Sequence, residues 1–494
     1  MAKSTNAEEQ LLMHITEHRL RASLIAVRQA MEYIWADDAP RIVQDYTDHG
    51  ENHSKRLAGF AVKLLEANVG RNLSVQEMYL LIAGIYLHDI GMQCDVVKFP
   101  EIKARAESLG AEFEIAFTAR TASSYSIDEQ RAIRRNHHYL AAAWIDHANR
   151  TCTTALGSAA QTIPEELVDD LMDVCKYHAK LPITDCPREL KFDPTHCKQL
   201  VAALLRFSDE LDVDGHRVSI ETVRNFSVDS HNSVYWWLHN RTKIVFIAPH
   251  VILLTIRLHP YDKKQMGSFV HGAFISKFRS KNQQVLSVLA LNGIPIVCDN
   301  NSRVVEHDRT ERLPSEIVLI LQAMYEKLDA SDAVERTYRP AAKIPHTLSS
   351  PEVTVDQTVS KRILVIEDRE NWRDTLGRLL DGRGFEVEYE TGYRTGLDKI
   401  LESGSRSSVV DLALCIVDLS LDSGGDEENW DGLGLLALCR ITKIPTIVVS
   451  GRLTQELKDQ LRDQYGVMAS FDKGALPVDE LLASVEQALI LPRR

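Results

Sequence analysis

The adjacent residues His88 and Asp89 are the first place where the sequence offers chemistry. They follow the apolar run MYLLIAGIYL, residues 78–87, which is typical of a buried helix. A carboxylate without a partner is costly to bury in such a position. The sequence therefore predicts a compensating positive charge beside Asp89, and a carboxylate that bridges two cations would meet that need.

Three more histidines and another aspartate lie on the apolar faces of predicted helices in the same half of the chain. These residues are His53, His137, His178 and Asp209. His53 lies four residues before Leu57, and Asp209 lies four residues after Leu205, a spacing that places both side chains on apolar stripes. Any one of them is more often a hydrogen-bonded core residue, a cap or an ion-pair partner. Their combination in one predicted core favours a site for divalent transition metals.

A second group of polar residues stands at the ends of predicted parallel strands near the C-terminus. Five polar residues stand at the ends of these strands. They are Glu367 and Asp368 in KRILVIED, Asp418 in LALCIVD, Ser450 in PTIVVSG and Lys473 in GVMASFDKG. Functional groups gather at the carboxyl ends of strands in an open parallel sheet. Isolated polar residues at strand ends would explain any one of them, but not the ordered set. The three acids would repel one another, so a cation is expected among them.

Composition is that of an ordinary soluble globular protein, with 494 residues, 44% of them hydrophobic, and a formal charge of −13. This charge disfavours binding to duplex nucleic acid, which requires a basic face. The cysteines have no CxxC pair and lie mainly in apolar contexts, as in a reducing compartment. The polar start MAKSTNAEEQ and the lack of a long apolar run predict a cytoplasmic protein without a membrane segment.

The elements that must position these residues change in character along the chain. Helical periodicity dominates residues 1–215, strands and helices mix in an accessory α+β module at 216–328, and 329–360 is rich in Pro, Ser and Thr, as in a linker. Strands alternate with amphipathic helices over 361–494, which predicts a doubly wound α/β domain. Helices are predicted at 11–35, 53–68, 75–90, 128–147, 164–178 and 196–212. The fold class is therefore multidomain.

A series of five motifs resembles the HD superfamily of metal-dependent phosphohydrolases. In chain order these motifs are HSKRLAGFA, LHDIG, NHHYLAAAWI, KYHAK and LLRFSDELD. The resemblance implies an all-α domain that holds one or two divalent transition-metal ions, Mn or Fe, with His88 and Asp89 as the catalytic pair. One ion would be held by His53, His88, Asp89 and Asp209. Asp89 would bridge to a second ion at His137 and His178, although His138 is an alternative to His137.

Two features depart from the HD-GYP subfamily, which cleaves cyclic di-GMP. The segment KYHAK contains an alanine at the place where that subfamily has a motif similar to HHE. Met92 stands at a position where that subfamily frequently has a lysine. Cyclic di-GMP hydrolysis is therefore not expected. Candidate phosphate contacts are Lys55, Arg56, Lys176, Lys180 and Arg206, although a solvated surface role is the commoner one for any single residue.

The C-terminal set resembles the receiver domain of response regulators, with a flavodoxin-like fold, over residues 361–490. The resemblance implies phosphorylation of Asp418 by a histidine kinase or another phosphoryl donor. Magnesium would be bound by Glu367, Asp368, Asp418 and the carbonyl of Ser420. Ser450 and Lys473 would form the switch that senses the phosphoryl group. The loop after Asp418, LSLDSGGDEENWDG, is longer and more acidic than in typical receivers.

Together these patterns predict a bacterial two-component signalling hydrolase that acts on a nucleotide or a nucleotide-derived messenger and is regulated through Asp418. A homodimer is a further expectation. Two alternatives remain from the sequence: an inactive HD scaffold that serves as a phosphorylation-controlled binding partner, and a nuclease for single strands. Metal content and activity of an Asp89→Ala variant distinguish the first alternative, and degradation of an oligonucleotide distinguishes the second.

Overall fold

The computed structural model divides the chain into two units, Met1–Ile317 and Val318–Arg494. It describes residues 6–38, 42–43, 50–118, 124–151, 156–213, 230–299, 302–315, 317–321, 362–381, 383, 385–404, 412–421, 432–451 and 453–490. The predicted linker 329–360, the predicted boundary between residues 215 and 216 and most of the acidic loop, residues 422–431, lie outside the described residues.

The N-terminal part of the first unit is helical, as the sequence predicts. Its helices are α1 Ala7–Leu12, α2 His18–Asp38, α3 Glu51–Glu66, α4 Val75–Leu87, α5 Pro100–Ser108, α6 Ile127–Arg135, α7 His137–Thr151, α8 Gly157–Ala160, α9 Glu165–Tyr177 and α10 Lys198–Leu211. A short 3₁₀ turn, Ile90–Gln93, follows α4. Helix α4 packs against α2, α9 and α10, and all its residues from Met78 to Leu87 are buried, which explains its uninterrupted apolar sequence.

Two of the predicted helices are each broken in the structure. The stretch predicted at 11–35 is split between α1 and α2, and that at 128–147 is split between α6 and α7. The second break lies at Asn136, whose side-chain amide donates hydrogen bonds to the carbonyl oxygens of Ala132 at 3.0 Å and Glu112 at 2.8 Å. Asparagine side chains compete in this way with the helical backbone, so periodicity alone does not reveal the break.

The accessory module contains α11 Ser230–Arg241, β1 Thr242–Ala248, β2 Val251–Leu258, α12 Pro260–Val270, the π-helix His271–Ser276, α13 Lys277–Leu291, β3 Val297–Cys298 and β4 Arg303–Glu306. Strand β2 pairs with β1 in antiparallel and with β3 and β4 in parallel orientation. Trp236 and Trp237 are buried. Helix α13 packs on α10, where Lys281 Nζ lies 2.6 Å from Glu210 Oε1.

The second unit alternates strands and helices. Its elements are β5 Arg362–Ile366, α14 Glu370–Asp381, β6 Glu386–Glu390, α15 Tyr393–Gly404, β7 Leu414–Val417, α16 Gly432–Thr442, β8 Thr446–Ser450, α17 Gln455–Tyr465, β9 Ala469–Asp472 and α18 Val478–Ile490. The parallel sheet has the order β6-β5-β7-β8-β9. This is the flavodoxin-like order, with its switch point beside β5 and β7, and it confirms a parallel-sheet domain at this end of the chain.

Among the described residues, no helix is long and apolar enough to cross a membrane. The cysteines of the described part of the chain are free and buried, as their apolar contexts predict.

Candidate metal centre

Helix ends place four histidines around one buried point. His88 follows the last residue of α4, and His178 follows the last residue of α9. His137 is the first residue of α7, and His53 lies in the first turn of α3. These four residues, together with Asp89 and Asp209, are called the histidine cluster below. The structure thus brings together all six residues that the HD resemblance implies as ligands.

Helix carbonyl groups fix the protonation of three of these imidazoles. The Nδ1 atom of His88 lies 3.2 Å from the carbonyl oxygens of Gly84 and Ile85, in the last turn of α4. The Nδ1 atom of His137 lies 2.7 Å from the carbonyl oxygen of Arg134, and that of His178 contacts the carbonyl oxygen of Cys175. A carbonyl oxygen only accepts, so each Nδ1 carries the proton. Each Nε2 atom therefore turns a lone pair inward when the ring is neutral.

The Nε2 atoms meet in two pairs on either side of Asp89. His53 Nε2 and His88 Nε2 are 3.2 Å apart, and Asp89 Oδ2 lies 3.6 Å from the first and 3.1 Å from the second. His137 Nε2 and His178 Nε2 are 3.0 Å apart, and Asp89 Oδ1 lies 3.4 Å and 3.6 Å from them. Asp209 Oδ1 adds a carboxylate 3.4 Å from His53 Nε2. The two oxygens of Asp89 thus face different histidine pairs.

These separations fit a divalent metal site. Ligand atoms about 2.1 Å from an ion stand roughly 3.0 Å apart in octahedral and roughly 3.4 Å apart in tetrahedral geometry. The distances within both halves of the cluster lie between 3.0 and 3.6 Å. Imidazole with carboxylate suits iron, manganese, zinc and related ions. The residues can therefore hold one ion on each side of Asp89.

The cluster attracts positive charge even when it holds no metal. Burial opposes a charge on His88, but the charge and hydrogen bond of Asp89 and the charge of Asp209 raise the pKa of His88 to about 9. A divalent cation bound here displaces protons from groups that otherwise bind them.

Asp212 contacts the histidine cluster and was not singled out by the sequence. Its Oδ2 atom lies 2.6 Å from His53 Nδ1, and its side chain is fully buried just after α10. Arg56 Nε and Nη2 donate to its two oxygens at 2.7 and 3.1 Å. Arg56, predicted as a candidate phosphate contact, thus uses these donors to hold Asp212. The motif FSDELDVD contains Asp212, but only the fold shows that it reaches α3.

His138, the alternative to His137, lies outside the ligand pairs. Its ring is buried beside His137, and its Nδ1 atom has no hydrogen-bond partner. Burial and the charges of His137, His178, Lys180 and Arg206 lower the pKa of His138 to about 2, which keeps it neutral. The structure therefore favours His137, whose Nε2 atom faces both His178 and Asp89.

Gly91 allows the two halves of the cluster to approach. A β-carbon at this position would lie 1.9 Å from the carbonyl oxygen of His137 and 2.8 Å from the amide nitrogen of Ala141. Only glycine therefore lets the turn after Asp89 pack directly on the start of α7.

A second candidate site lies in the other unit, at the carboxyl edge of the parallel sheet. Ile366 pairs with Val417, so the next residues, Glu367 and Asp418, share this edge. Lys473 Nζ lies 2.5 Å from Glu367 Oε2 and 2.6 Å from Asp418 Oδ2. Ligand atoms of Glu367, Asp368 and Asp418, called the acidic cluster below, lie within 4.8 Å of one another.

Electrostatics favour a cation at the acidic cluster as well. Burial and the charge of Asp418 raise the pKa of Glu367 to about 7, although Lys473 acts in the opposite direction. The oxygen-only donor set suits Mg²⁺. Ser420 donates its N–H to Asp418 Oδ1 at 3.3 Å, and Ser450 ends β8 as a buried residue. The predicted receiver residues thus lie along one edge of the sheet.

Comparison with known proteins adds a family match. Residues 43–273 match the HD-CE family model. The matched range contains the whole histidine cluster, Asp212 and much of the accessory module. A comparison with curated proteins finds no match.

Several solved structures that are similar to this chain are described as receiver domains. One is the signal receiver domain of an HD domain-containing protein from Pseudomonas fluorescens Pf-5, with 19% identity, coverage of 26% of this chain and 93% of that chain, and a TM-score of 0.22. Another is the non-phosphorylated HemR receiver domain from Leptospira biflexa, with 21% identity, coverage of 27% and 97%, and a TM-score of 0.22.

We expect Asp212→Asn to weaken metal binding at the His53 side of the cluster. The amide keeps the size of the side chain but removes the charge that orients His53 and pairs with Arg56. Loss of such a partner typically lowers metal affinity about 10- to 100-fold. Titration with Mn²⁺ in competition with a chelator measures the change.

Asp170→Asn is the matched control, because Asp170 is also a fully buried aspartate, bonded to Lys198 Nζ at 2.8 Å outside the cluster. It should lose stability and keep the wild-type metal affinity. Equal affinities for wild type and Asp212→Asn would contradict the role given to Asp212.

Proposed function

We propose that the chain is a metal-dependent phosphohydrolase acting on a nucleotide or nucleotide-derived messenger, and that phosphorylation of Asp418 regulates it. The observation that carries the hydrolase proposal is the division of the Nε2 atoms into two pairs, one facing each oxygen of Asp89. Sites with two metal ions and a shared carboxylate serve in-line displacement at phosphorus. The HD-CE match over residues 43–273 supports the same class.

In this proposal the protein residues bind, orient and balance charge. Divalent ions, when bound, lower the pKa of water and neutralise the charge that develops on a phosphoryl group. Asp89 bridges the two halves and fixes their separation. Asp212 and the helix carbonyl groups hold the protons on the Nδ1 atoms and so keep each Nε2 available. In the reaction, water adds to phosphorus, a P–O bond breaks, and the leaving oxygen takes up a proton.

The open side of the histidine cluster gives access to substrate. The Asp209 side chain is 27% exposed and that of His137 is 15% exposed, whereas those of His53, His88 and His178 are 1% exposed. A phosphate group therefore reaches the cluster beside His137 and Asp209. The other side is closed by α4 and the body of the helical core.

Regulation is proposed from the acidic cluster. An aspartate beside a cation site and a lysine can accept a phosphoryl group, because both positive charges offset the charge on its oxygens. Lys473 must then exchange its hydrogen bond with the Asp418 carboxylate for one with the phosphoryl group. The site therefore has two states, one before and one after phosphorylation. A histidine kinase or a small phosphoryl donor would serve as the source.

The hydrolase proposal predicts that Mn²⁺- or Fe²⁺-loaded protein hydrolyses at least one compound in a panel of nucleotides. Asp89→Ala should lower the rate at least about 100-fold, because it removes ligands from both halves of the cluster. Asp170→Asn is again the control and should stay active. Metal-loaded wild-type protein without activity on the whole panel would favour the scaffold alternative, and an oligonucleotide in the panel tests the nuclease alternative.

The regulatory proposal predicts that acetyl phosphate with Mg²⁺ phosphorylates the wild-type chain and changes its hydrolysis rate. Asp418→Ala should show neither the phosphorylated band on a phosphate-affinity gel nor the change in rate. Asp398→Asn, at an exposed aspartate of α15, should respond like wild type. Phosphorylation that persists in Asp418→Ala, or an unchanged rate in phosphorylated wild type, would contradict the proposal.

A further inference from the structure

Basic residues lie near the open side of the histidine cluster, where Lys180 and Arg206 are close enough for their charges to act on His138. They come from three separate segments, namely the end of α6, the residues after α9, and α10. These residues are Arg134, Arg135, Lys180 and Arg206, called the cationic rim below. Such a concentration is notable because the chain as a whole has a formal charge of −13. A local basic patch in an acidic protein indicates an anionic ligand.

Each segment of the cationic rim is tied to a residue of the histidine cluster. The carbonyl oxygen of Arg134 accepts the hydrogen bond from His137 Nδ1 at 2.7 Å. Lys180 is two residues after His178. Arg206 lies three residues before Asp209 on α10 and therefore on the same side of that helix. The rim thus borders the cluster where His137 and Asp209 are exposed.

Arg206 has unused capacity to bind an anion. Its side chain is buried, with the residue 9% exposed, and its Nη1 atom donates to the carbonyl oxygen of Leu181 at 2.5 Å. Its Nε atom has no hydrogen-bond partner. A buried guanidinium donor without a partner costs free energy unless a ligand satisfies it. The neighbouring His138 Nδ1 atom is also buried without a partner.

Lys180 is held against like charges. Lys180 is close enough to Arg134 and Arg135 for their charges to act on it, and among the described residues no salt bridge to Lys180 offsets this repulsion. Arg135 does contact Glu114, at 3.1 Å, but that pair is exposed and contributes little. An anion bound beside Lys180 would offset the repulsion that these like charges exert on it.

We propose that Arg134, Lys180 and Arg206 form a subsite for a second phosphate group, next to the phosphate that the histidine cluster receives. The substrate class is then a compound with at least two linked phosphates, such as a nucleoside di- or triphosphate, rather than a phosphomonoester. This proposal rests on the proposed hydrolase function for the place of the first phosphate. It does not require that the bound compound is cleaved.

Binding of inorganic pyrophosphate and of inorganic phosphate tests the subsite directly. Calorimetry is performed on the metal-loaded full chain in excess free Mn²⁺, so that pyrophosphate does not strip the protein. Wild type should bind pyrophosphate at least about tenfold more tightly than phosphate. Lys180→Gln and Arg134→Gln, both at exposed positions that tolerate substitution, should each lose about five- to tenfold in pyrophosphate affinity and keep their phosphate affinity and metal content.

Lys63→Gln is the matched control, because Lys63 is exposed and lies ten residues along α3 from His53, roughly 15 Å away along the helix axis. Equal affinity of wild type for pyrophosphate and phosphate, or variants that bind pyrophosphate like Lys63→Gln, would overturn the subsite. Selective pyrophosphate binding in a protein that hydrolyses nothing would support the subsite and refute the hydrolase. Hydrolysis of nucleotides by wild type, together with unchanged pyrophosphate binding in Lys180→Gln and Arg134→Gln, would support the hydrolase and refute the subsite.

Discussion

The convergence of four imidazole Nε2 atoms on the two oxygens of Asp89 is the constraint on which the helical unit depends. Two Nε2 lone pairs 3.0 to 3.2 Å apart repel unless a proton or a metal cation lies between them. The arrangement exists because helix ends bind the Nδ1 protons of His88, His137 and His178. Those carbonyl groups lie in the last turns of α4, α6 and α9, so the same contacts help to complete the helix ends and orient the imidazole rings.

Local pattern was enough to select the residues of the histidine cluster and not enough to find what supports them. His88 and Asp89 stand out because they interrupt a buried apolar run, and Asp209 because of its helical spacing to Leu205. The contact between Asp212 and His53 joins residues 159 positions apart, and no local periodicity reports it. The choice between His137 and His138 depended on which ring faces His178 and Asp89, and only the fold shows this.

The second unit followed more directly from its sequence. Parallel strands are short, buried and apolar, and their carboxyl ends share one edge, so the polar residue after each strand could be placed there before the fold was known. The sequence does not show that Lys473 bonds to both Glu367 and Asp418, because this depends on the register between non-neighbouring strands. In both units, buried carboxylates attract cations, and the surrounding basic groups balance only part of their negative charge.

Anomalous diffraction from crystals of the Mn²⁺-loaded chain tests the central claim most directly. Two anomalous peaks about 3.5–4 Å apart are expected, one beside His53 and His88 and the other beside His137 and His178, with the Asp89 carboxylate between them. A single peak at either histidine pair would leave Asp89 without its bridging role. No peak within the histidine cluster at saturating Mn²⁺ or Fe²⁺ would contradict the account.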